Sequence, residues 1–445
     1  MEKARFSRVG FILAAAGSAV GLGNIWKFPY MAGQNGGGAF VLIYLLTVVL
    51  IGLSIFIAEV YMGRTTREDG VTAFETLAAR NGHIWKYAGF MVFTGVLILS
   101  FYTIVIGWIF KYIILSFSTL PISVGAAGKL FGAMVSGDWE GQFAFFNIAF
   151  FLTMWIVARG VKRGIERVNL ILMPLLILIL IFLFFYSMTY TGFEKSLTFL
   201  FYPEWDKLTQ SSLLQAVGHA FFTLSLGMGT IMTYATSLPK GENIVKSSFY
   251  VAFIDTLIAL VAGIIIFTFV FHFGEKPSQG PGLVFISLPA LFHHMGVMGN
   301  VISLLFFVAL AFAGITSAVS IVEPTALFFI NRFKMARSKA LIIIAVIVYI
   351  LGTMAVLSNT KAYGAHFTYF GKGAFDLMDF VSAAILLPLG GMIIAIFVGF
   401  VIERDKVHAT MSKYMSDRLF NLWYFSIRYI APAAVMIVMI NKLFF

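Results

Sequence analysis

The amino-acid sequence predicts an all-α integral membrane protein of eleven transmembrane helices, two of which are interrupted near the middle of the bilayer. Of its 445 residues, 60% are hydrophobic and only 11% are charged, whereas a soluble domain keeps about a quarter of its residues charged. The apolar residues form runs of roughly 20 residues or more, which are long enough to cross a bilayer. Glycine clusters mixed with polar residues interrupt the first and the sixth run. Membrane lipid is therefore the expected solvent and partner of this chain.

The apolar runs divide the chain into eleven predicted spans within a single transmembrane domain, residues 1–445. The spans lie near residues 9–34, 38–63, 88–118, 142–159, 165–190, 213–237, 247–273, 299–330, 338–357, 374–402 and 419–443. The first five form a predicted first repeat (9–190), the next five a second repeat (213–402), and the last is an extra helix (419–443). A membrane β-barrel is a poor alternative, because barrel strands alternate apolar and polar residues and these runs do not.

Lysine and arginine residues indicate the orientation of the chain. With the N-terminus in the cytoplasm, 21 of the 31 basic residues lie on the cytoplasmic side and 7 on the other, while Lys27, Lys111 and Arg428 lie within spans. Such an excess over short loops is the positive-inside pattern. We therefore expect a multi-pass membrane protein with a cytoplasmic N-terminus and an extracytoplasmic C-terminus. Because the net charge of +11 resides in these loops, no nucleic acid is expected as a partner.

The two interrupted spans indicate a transporter. The first reads AAAGSAVGLGNIWKFPY and the sixth reads HAFFTLSLGMGTIMTYA, and each mixes glycines with small hydroxyl or amide side chains. For one such cluster taken alone, close helix packing is the better explanation. Two clusters at corresponding positions of two five-helix halves favour unwinding, because interrupted membrane helices at matched positions line transporter binding sites.

Longer motifs show a resemblance to one family. AAAGSAVGLGNIWKFPY with NGGGAF, then FIAEVYMGR, FFTLSLGMG, FAGITS and FDLMDF, follow one another along nearly the whole chain. In these motifs the sequence resembles the neurotransmitter:sodium symporter family. The number of spans, eleven, resembles that of its bacterial amino-acid transporter branch, which implies a bacterial inner (plasma) membrane. The resemblance implies a LeuT-like 5+5 inverted repeat with broken helices 1 and 6, a fold of transporters rather than enzymes.

The resemblance also implies two sodium sites built from oxygen ligands, which suit a hard cation. The first would comprise Ala19, Asn24, Thr223 and Asp255, and the second Gly17, Val20, Ala313, Thr316 and Ser317. A carboxylate within a span costs about 2.5–3.5 kcal/mol on insertion scales, so Asp255 is a candidate functional residue in its own right. Its alternative role is that of a structural partner to a polar neighbour. Because chloride-dependent relatives carry Asn at the matching position, we expect no chloride requirement.

A substrate pocket is implied between the two broken helices. Its predicted lining is Ala19, Gly21, Gly23, Ile98, Tyr102, Phe222, Thr223, Ser225, Met228, Ser317 and Ile321. Tyr102 would hydrogen-bond a substrate carboxylate, although a lone tyrosine in a span is otherwise usually a packing or interfacial residue. Gly21 stands where monoamine-carrying relatives have Asp, which favours a substrate that brings its own carboxylate. The apolar lining and the flexible Met228 favour a large hydrophobic or aromatic neutral L-amino acid.

Charged residues near the ends of the spans are interpreted as gates or anchors. Lys27 and Asp379 match the outer gate pair of the family, although Lys supplies a point charge where Arg is usual. Their alternative is an ordinary interfacial ion pair. Glu59 and Glu323 are expected to be hydrogen-bonded structural anchors rather than ion ligands. The inner gate of the family has no clear match in this chain.

The predicted function is sodium-coupled import of an amino acid by alternating access. A proton-coupled carrier of the same fold is the main alternative. A channel would need a continuous polar lining, and a sensor would bind substrate without accumulating it. An enzyme would need a nucleophile–base pair or a metal cluster, and the 7 His residues show no recognisable ligand spacing.

Overall fold

The computed structural model describes residues 6–239, 241–277 and 282–444. Lys3, Arg5 and Lys240, three of the basic residues that the charge pattern places in the cytoplasm, lie outside the described residues. The described chain is almost entirely helical, and it includes one short antiparallel hairpin of β1 (Thr368–Tyr369) and β2 (Lys372–Gly373).

Helices lie at every predicted span. They are α1 (Arg8–Ala19 and Gly23–Gln34), α2 (Gly38–Thr66), α3 (Gly82–Leu115), α4 (Trp139–Ala158), α5 (Val161–Ser187), α6 (Gln210–Thr223 and Thr230–Thr236), α7 (Ile244–His272), α8 (Val297–Phe333), α9 (Arg337–Ser358), α10 (Ala374–Val401) and α11 (Asp417–Asn441). In the described part of the chain, nine of these are long and apolar enough to cross a bilayer unbroken. The two pieces of α1, bent by 47°, make a tenth. The pieces of α6 have 14 and 7 residues, so neither crosses a bilayer alone.

Short helices connect the spans on both sides of the bundle. They are Gly70–Leu77, Val124–Gly132, Gly192–Phe201, Leu283–His293 and Arg404–Met411, with the 3-10 turns Trp205–Lys207 and Gly364–Phe367. Two of them begin at side-chain caps, since Asp69 accepts from the Val71 and Thr72 N–H groups and Ser123 accepts from that of Ala126. Such caps satisfy N–H groups that have no partner within the helix.

The first piece of α1 lies at the centre of the bundle. It packs against α5, α7 and α8, and α3 packs along α8. Ala14, Ala15 and Ala16 are fully buried, because small side chains let membrane helices approach closely. The outer helices instead present large apolar side chains on the outside, such as Leu178 of α5 and Ile350 of α9. The centre of α1 is thereby shielded from lipid.

Both predicted interruptions are confirmed. In α1 the helix ends at Ala19 and resumes at Gly23. In α6 residues 224–229 are not helical, and Ser225, Gly227 and Gly229 have φ values of 54°, 79° and 75°. A side chain at Gly227 would also lie 2.1 Å from the carbonyl oxygen of Leu387 in α10. Glycine is therefore required at this position by both the backbone conformation and the close approach of α10.

Candidate functional site

A small central cavity lies between the two breaks. Its lining includes all eleven residues that the resemblance predicts to contact substrate: Ala19, Gly21 and Gly23 of α1, Ile98 and Tyr102 of α3, Phe222, Thr223, Ser225 and Met228 of α6, and Ser317 and Ile321 of α8. Ser18 and Leu387 also line it and were not predicted. The cavity encloses about 30 Å³, which is enough for one or two water molecules. Its lining must therefore move apart to admit anything as large as an amino acid.

The polar end of this cavity is formed by Tyr102, Ser317 and the α1 break. The Tyr102 hydroxyl oxygen accepts a hydrogen bond from the Leu22 N–H at 3.2 Å, which leaves the phenol proton to donate. A side chain at Gly21 would lie 2.5 Å from Ser317 Oγ and 2.9 Å from the Tyr102 hydroxyl. This end of the cavity is therefore accessible only because residue 21 has no side chain.

The residues of the first predicted cation site form a buried cluster beside the cavity. Asp255 is fully buried, and its Oδ1 accepts hydrogen bonds from Asn24 Nδ2 at 2.8 Å and from Thr223 Oγ1 at 3.1 Å. Asn24 Oδ1 accepts from the Gly21 N–H at 3.0 Å. Ala19, the fourth predicted member, lines the adjoining cavity. A carboxylate among neutral oxygens suits a hard monovalent cation, so these residues fit a sodium ion chemically.

The second predicted cation site lies where α1 meets α8. The Ser317 hydroxyl lies within donating distance of two carbonyl oxygens, that of Gly17 at 3.2 Å and that of Val20 at 3.3 Å. Thr316 Oγ1 donates to the Ala313 carbonyl oxygen at 3.0 Å. The five predicted members are thus brought together, and all of them supply neutral oxygens. Backbone carbonyls at interrupted or ending helices provide partial negative charge, which suits the same kind of cation.

Asn169 of α5 lies beside this second cluster and was not predicted. The residue is fully buried, its Nδ2 donates to the Ile165 carbonyl oxygen, and its Oδ1 has no hydrogen-bond partner in the described structure. A side-chain carbon at Gly17 would lie 1.9 Å from this Oδ1 and 3.2 Å from Thr316 Cβ. Asn169 could have been found from the sequence, because an amide side chain within an apolar run is unusual. Leu387 could not have been found in this way, because an apolar residue in a span resembles its neighbours.

A larger outer cavity of about 360 Å³ contains the two predicted gate residues, Lys27 and Asp379. It lies beyond the breaks, on the side away from the N-terminus of α1, and Tyr102 and Phe222 line both cavities. Lys27 Nζ lies 4.4 Å from the centre of the Phe222 ring, which is a cation–π contact. Lys27 and Asp379, both among the described residues, do not form an ion pair, since their charged atoms are not within 4 Å of each other. The single ammonium group of Lys27 is engaged with the ring instead of the carboxylate.

The acidic residues expected to be structural anchors are hydrogen-bonded. Glu59 of α2 is fully buried, and its two oxygens accept from the N–H groups of Gly227 (2.9 Å) and Met232 (3.2 Å). Glu323 of α8 forms a close ion pair with Arg337 at the start of α9. Glu59 therefore supports the break in α6, while Glu323 joins two neighbouring helices.

Two broken helices around an oxygen-rich central cavity, within a bundle of apolar helices, define a secondary transporter with the LeuT-like inverted-repeat fold. The chain belongs to the sodium:neurotransmitter symporter family, whose sequence pattern matches residues 3–126 and 137–444. This is a family of sodium-dependent transporters with small-molecule substrates and not of enzymes.

Individual relatives are similar over nearly their full length. An uncharacterized sodium-dependent transporter of Bacillus subtilis, YhdH, is 37% identical over 441 residues, covering 98% of this chain and 96% of that protein. An uncharacterized sodium-dependent transporter of Haemophilus influenzae is 32% identical, covering 98% and 97%. The solved structure of MhsT in complex with L-phenylalanine matches with a TM-score of 0.89 at 41% identity, covering 99% of this chain and 100% of the other.

Proposed function

We propose that this transporter imports a neutral, large hydrophobic or aromatic L-amino acid together with two sodium ions, by alternating access and without chloride. The observation that supports this most directly is the lining of the central cavity. None of its thirteen residues is charged, so a charged substrate side chain would lack a counter-ion there. Ile98, Met228 and Ile321 offer an apolar surface to the substrate side chain.

The α-carboxylate of the substrate would bind at the polar end of the cavity. The phenol proton of Tyr102 is available to donate, since its oxygen already accepts from Leu22. The second piece of α1 begins at Gly23, and helix N-termini favour anionic groups. The similar transporter MhsT was solved with L-phenylalanine, which supports an aromatic amino acid here.

The two oxygen clusters would hold the two sodium ions. A fixed carboxylate at Asp255 would take the place of a bound anion, and for this reason we propose that chloride is not needed. Each ion moving inward through about 100 mV gains roughly 2.3 kcal/mol, and a tenfold concentration gradient adds about 1.4 kcal/mol. Two ions would therefore supply about 7 kcal/mol, enough for roughly 10⁵-fold accumulation.

The transport cycle would move the two proposed repeats, residues 9–190 and 213–402, relative to one another around the central site. Lys27, Phe222 and Asp379 would close the outer cavity after substrate binds. From the similarity to bacterial transporters we infer a location in a bacterial inner (plasma) membrane. From the charge pattern we infer that the N-terminus lies in the cytoplasm and the C-terminus outside it.

Uptake into proteoliposomes tests the proposal. Purified protein is reconstituted, and accumulation of radiolabelled tryptophan, phenylalanine and leucine is followed with sodium, potassium or choline outside, and with chloride replaced by gluconate. We expect accumulation only with sodium, and equal accumulation with either anion. Uptake that is equal in all three cations and follows an imposed proton gradient would replace the proposal with proton coupling. Saturable binding without accumulation would indicate a sensor.

A further inference from the structure

Arg428 is a charged residue of membrane helix α11 that the transport site does not use. It is half-buried, and its buried Nε has no hydrogen-bond partner in the described structure. Its guanidinium lies 4.6 Å from the centre of the Phe400 ring and 5.5 Å from that of Tyr429. No carboxylate of the described chain lies within 4 Å of it. Cations within membrane helices are costly unless they pair or bind a ligand, so this guanidinium indicates an anionic ligand.

Arg428 lines a cavity of about 530 Å³ between the loop joining α2 to α3, the end of α10, and α11. Arg80 and Arg404 line the same cavity, together with polar and aromatic residues that include Asn81 and Trp85. Glu403 is the acidic residue in this described lining, and it forms an ion pair with Lys406 at 3.1 Å. The cavity therefore carries an excess of positive charge.

Two of these guanidinium groups share one aromatic ring. Arg404 and Arg428 lie 5.7 Å and 5.9 Å from the centre of the Tyr424 ring. Arg404 also donates to Asn421 Oδ1 at 2.8 Å, which holds it at the face of α11. Two positive charges therefore lie at the same ring, and an anion that contacts both would be attracted to each. Phosphate suits the position, because guanidinium groups bind phosphate oxygens through paired hydrogen bonds.

The surface beside the cavity is apolar and exposed. The exposed fractions are 52% for Phe400, 55% for Phe425 and 50% for Tyr429, and the Tyr429 ring contacts both of the other rings. On a membrane helix, side chains of this kind face the acyl chains of lipids. A basic cavity suits the headgroup of an anionic phospholipid, and the apolar surface beside it suits the acyl chains. A free anion would use the basic cavity alone.

We propose that this cavity binds the headgroup of an anionic phospholipid, with the phosphate held by Arg404 and Arg428 and with Arg80 as the third cation. The acyl chains lie along Phe400, Phe425 and Tyr429. The lipid thereby links α11 to α10 and to the α2–α3 loop, three parts of the bundle that share this cavity. The site is separate from the central cavity and does not depend on which substrate is transported.

Lipid binding to the full-length purified protein tests this proposal. Delipidated protein in neutral detergent is titrated with phosphatidylglycerol or phosphatidylcholine, and bound lipid is counted by native mass spectrometry while the thermal unfolding midpoint is recorded. We expect phosphatidylglycerol to bind more tightly and to raise the midpoint. Arg428→Gln is expected to weaken phosphatidylglycerol binding about fivefold, the effect of about one cation near a lipid headgroup.

Two further variants and one competitor complete the experiment. Arg80→Gln, in a loop, tests the site independently if Arg428→Gln fails to fold. Arg418→Gln is the matched control, because Arg418 is exposed on the same helix and lies outside the cavity. Wild-type affinity for phosphatidylglycerol in both Arg428→Gln and Arg80→Gln would overturn the proposal. So would displacement of the lipid by inorganic phosphate at equal concentration, since the ligand would then be a free anion.

Discussion

The breaks in α1 and α6 both leave backbone N–H groups without helical partners, and the two helices satisfy these groups differently. In α1 the Gly21 N–H donates to Asn24, three residues further along the same helix. In α6 the Gly227 and Met232 N–H groups donate to Glu59, which comes from α2. The α1 break therefore relies on Asn24 of the same helix and on one neutral hydroxyl from another helix, which accepts from the Leu22 N–H. The α6 break is instead held by a carboxylate of a neighbouring helix. This difference favours α1 as the segment that moves and α6 as the one that is held.

Removing the anchor of the α6 break is expected to have the largest effect. Glu59→Ala leaves two buried N–H groups without an acceptor, at about 1–3 kcal/mol each, so we expect the free energy of unfolding to fall by about 2–6 kcal/mol. Glu59→Gln should cost less, because one acceptor oxygen remains. Denaturant titration of the purified protein measures both, with the exposed Glu140→Ala as control. An unfolding midpoint unchanged in Glu59→Ala would mean that α6 is not held by α2.

Asp255 joins the two breaks, since it accepts hydrogen bonds from Asn24 of α1 and Thr223 of α6. Replacing it with Asn removes the fixed charge of the first proposed sodium site. We expect sodium to stabilise Asp255→Asn at least about tenfold more weakly, which corresponds to about 1.4 kcal/mol, and we expect chloride to restore part of the affinity. Sodium titration of the thermal midpoint, with and without chloride, is the measurement. Sodium affinity equal to that of the wild type would place the ion elsewhere.

A methyl group at position 21 tests the polar end of the central cavity within the α1 break. Its carbon would crowd Ser317 Oγ and the Tyr102 hydroxyl, and overpacking of this kind costs about 1–3 kcal/mol. We expect Gly21→Ala to raise KM for the amino acid while the protein remains folded. Gly132→Ala is the matched control, because no atom of the described structure beyond the adjoining helix backbone lies within 4 Å of the added carbon. An unchanged KM would show that substrate does not bind at this end of the cavity.

The smallest effect is expected at the outer cavity, where Lys27 contacts Phe222 and does not pair with Asp379. Lys27→Arg supplies a forked group that can reach the carboxylate, and an exposed ion pair is worth about 0.2–1 kcal/mol. We expect a change of about 1.4- to fivefold in the rate of substrate exchange. Asp379→Asn in the Lys27→Arg background should abolish the change. A much larger effect would mean that this pair controls closure more strongly than its geometry suggests.

The positions of the helices and of both breaks could be predicted because they depend on local properties. Hydropathy located the spans, although α3 begins at Gly82 rather than near residue 88, since backbone hydrogen bonding continues past the apolar run. The resemblance named residues that the structure brings together around one cavity and two oxygen clusters. The contact partners of individual side chains could not be predicted in this way. The ring that engages Lys27 and the unpaired oxygen of Asn169 depend on distances between helices, which no local pattern encodes.

The contact between Glu59 and the α6 break has a consequence for protein engineering. Residues 59 and 227 are 168 positions apart in the chain, yet they function as one structural unit. A chimera that takes α6 from one relative and α2 from another must therefore keep the carboxylate and the glycine together, or it will assemble with buried amides unsatisfied. The α1 break imposes a weaker condition, because residues 21 and 24 lie in the same exchanged segment and the bond from the Leu22 N–H to α3 ends on a neutral hydroxyl. Exchange of α1 between relatives should accordingly tolerate recombination points that exchange of α6 does not.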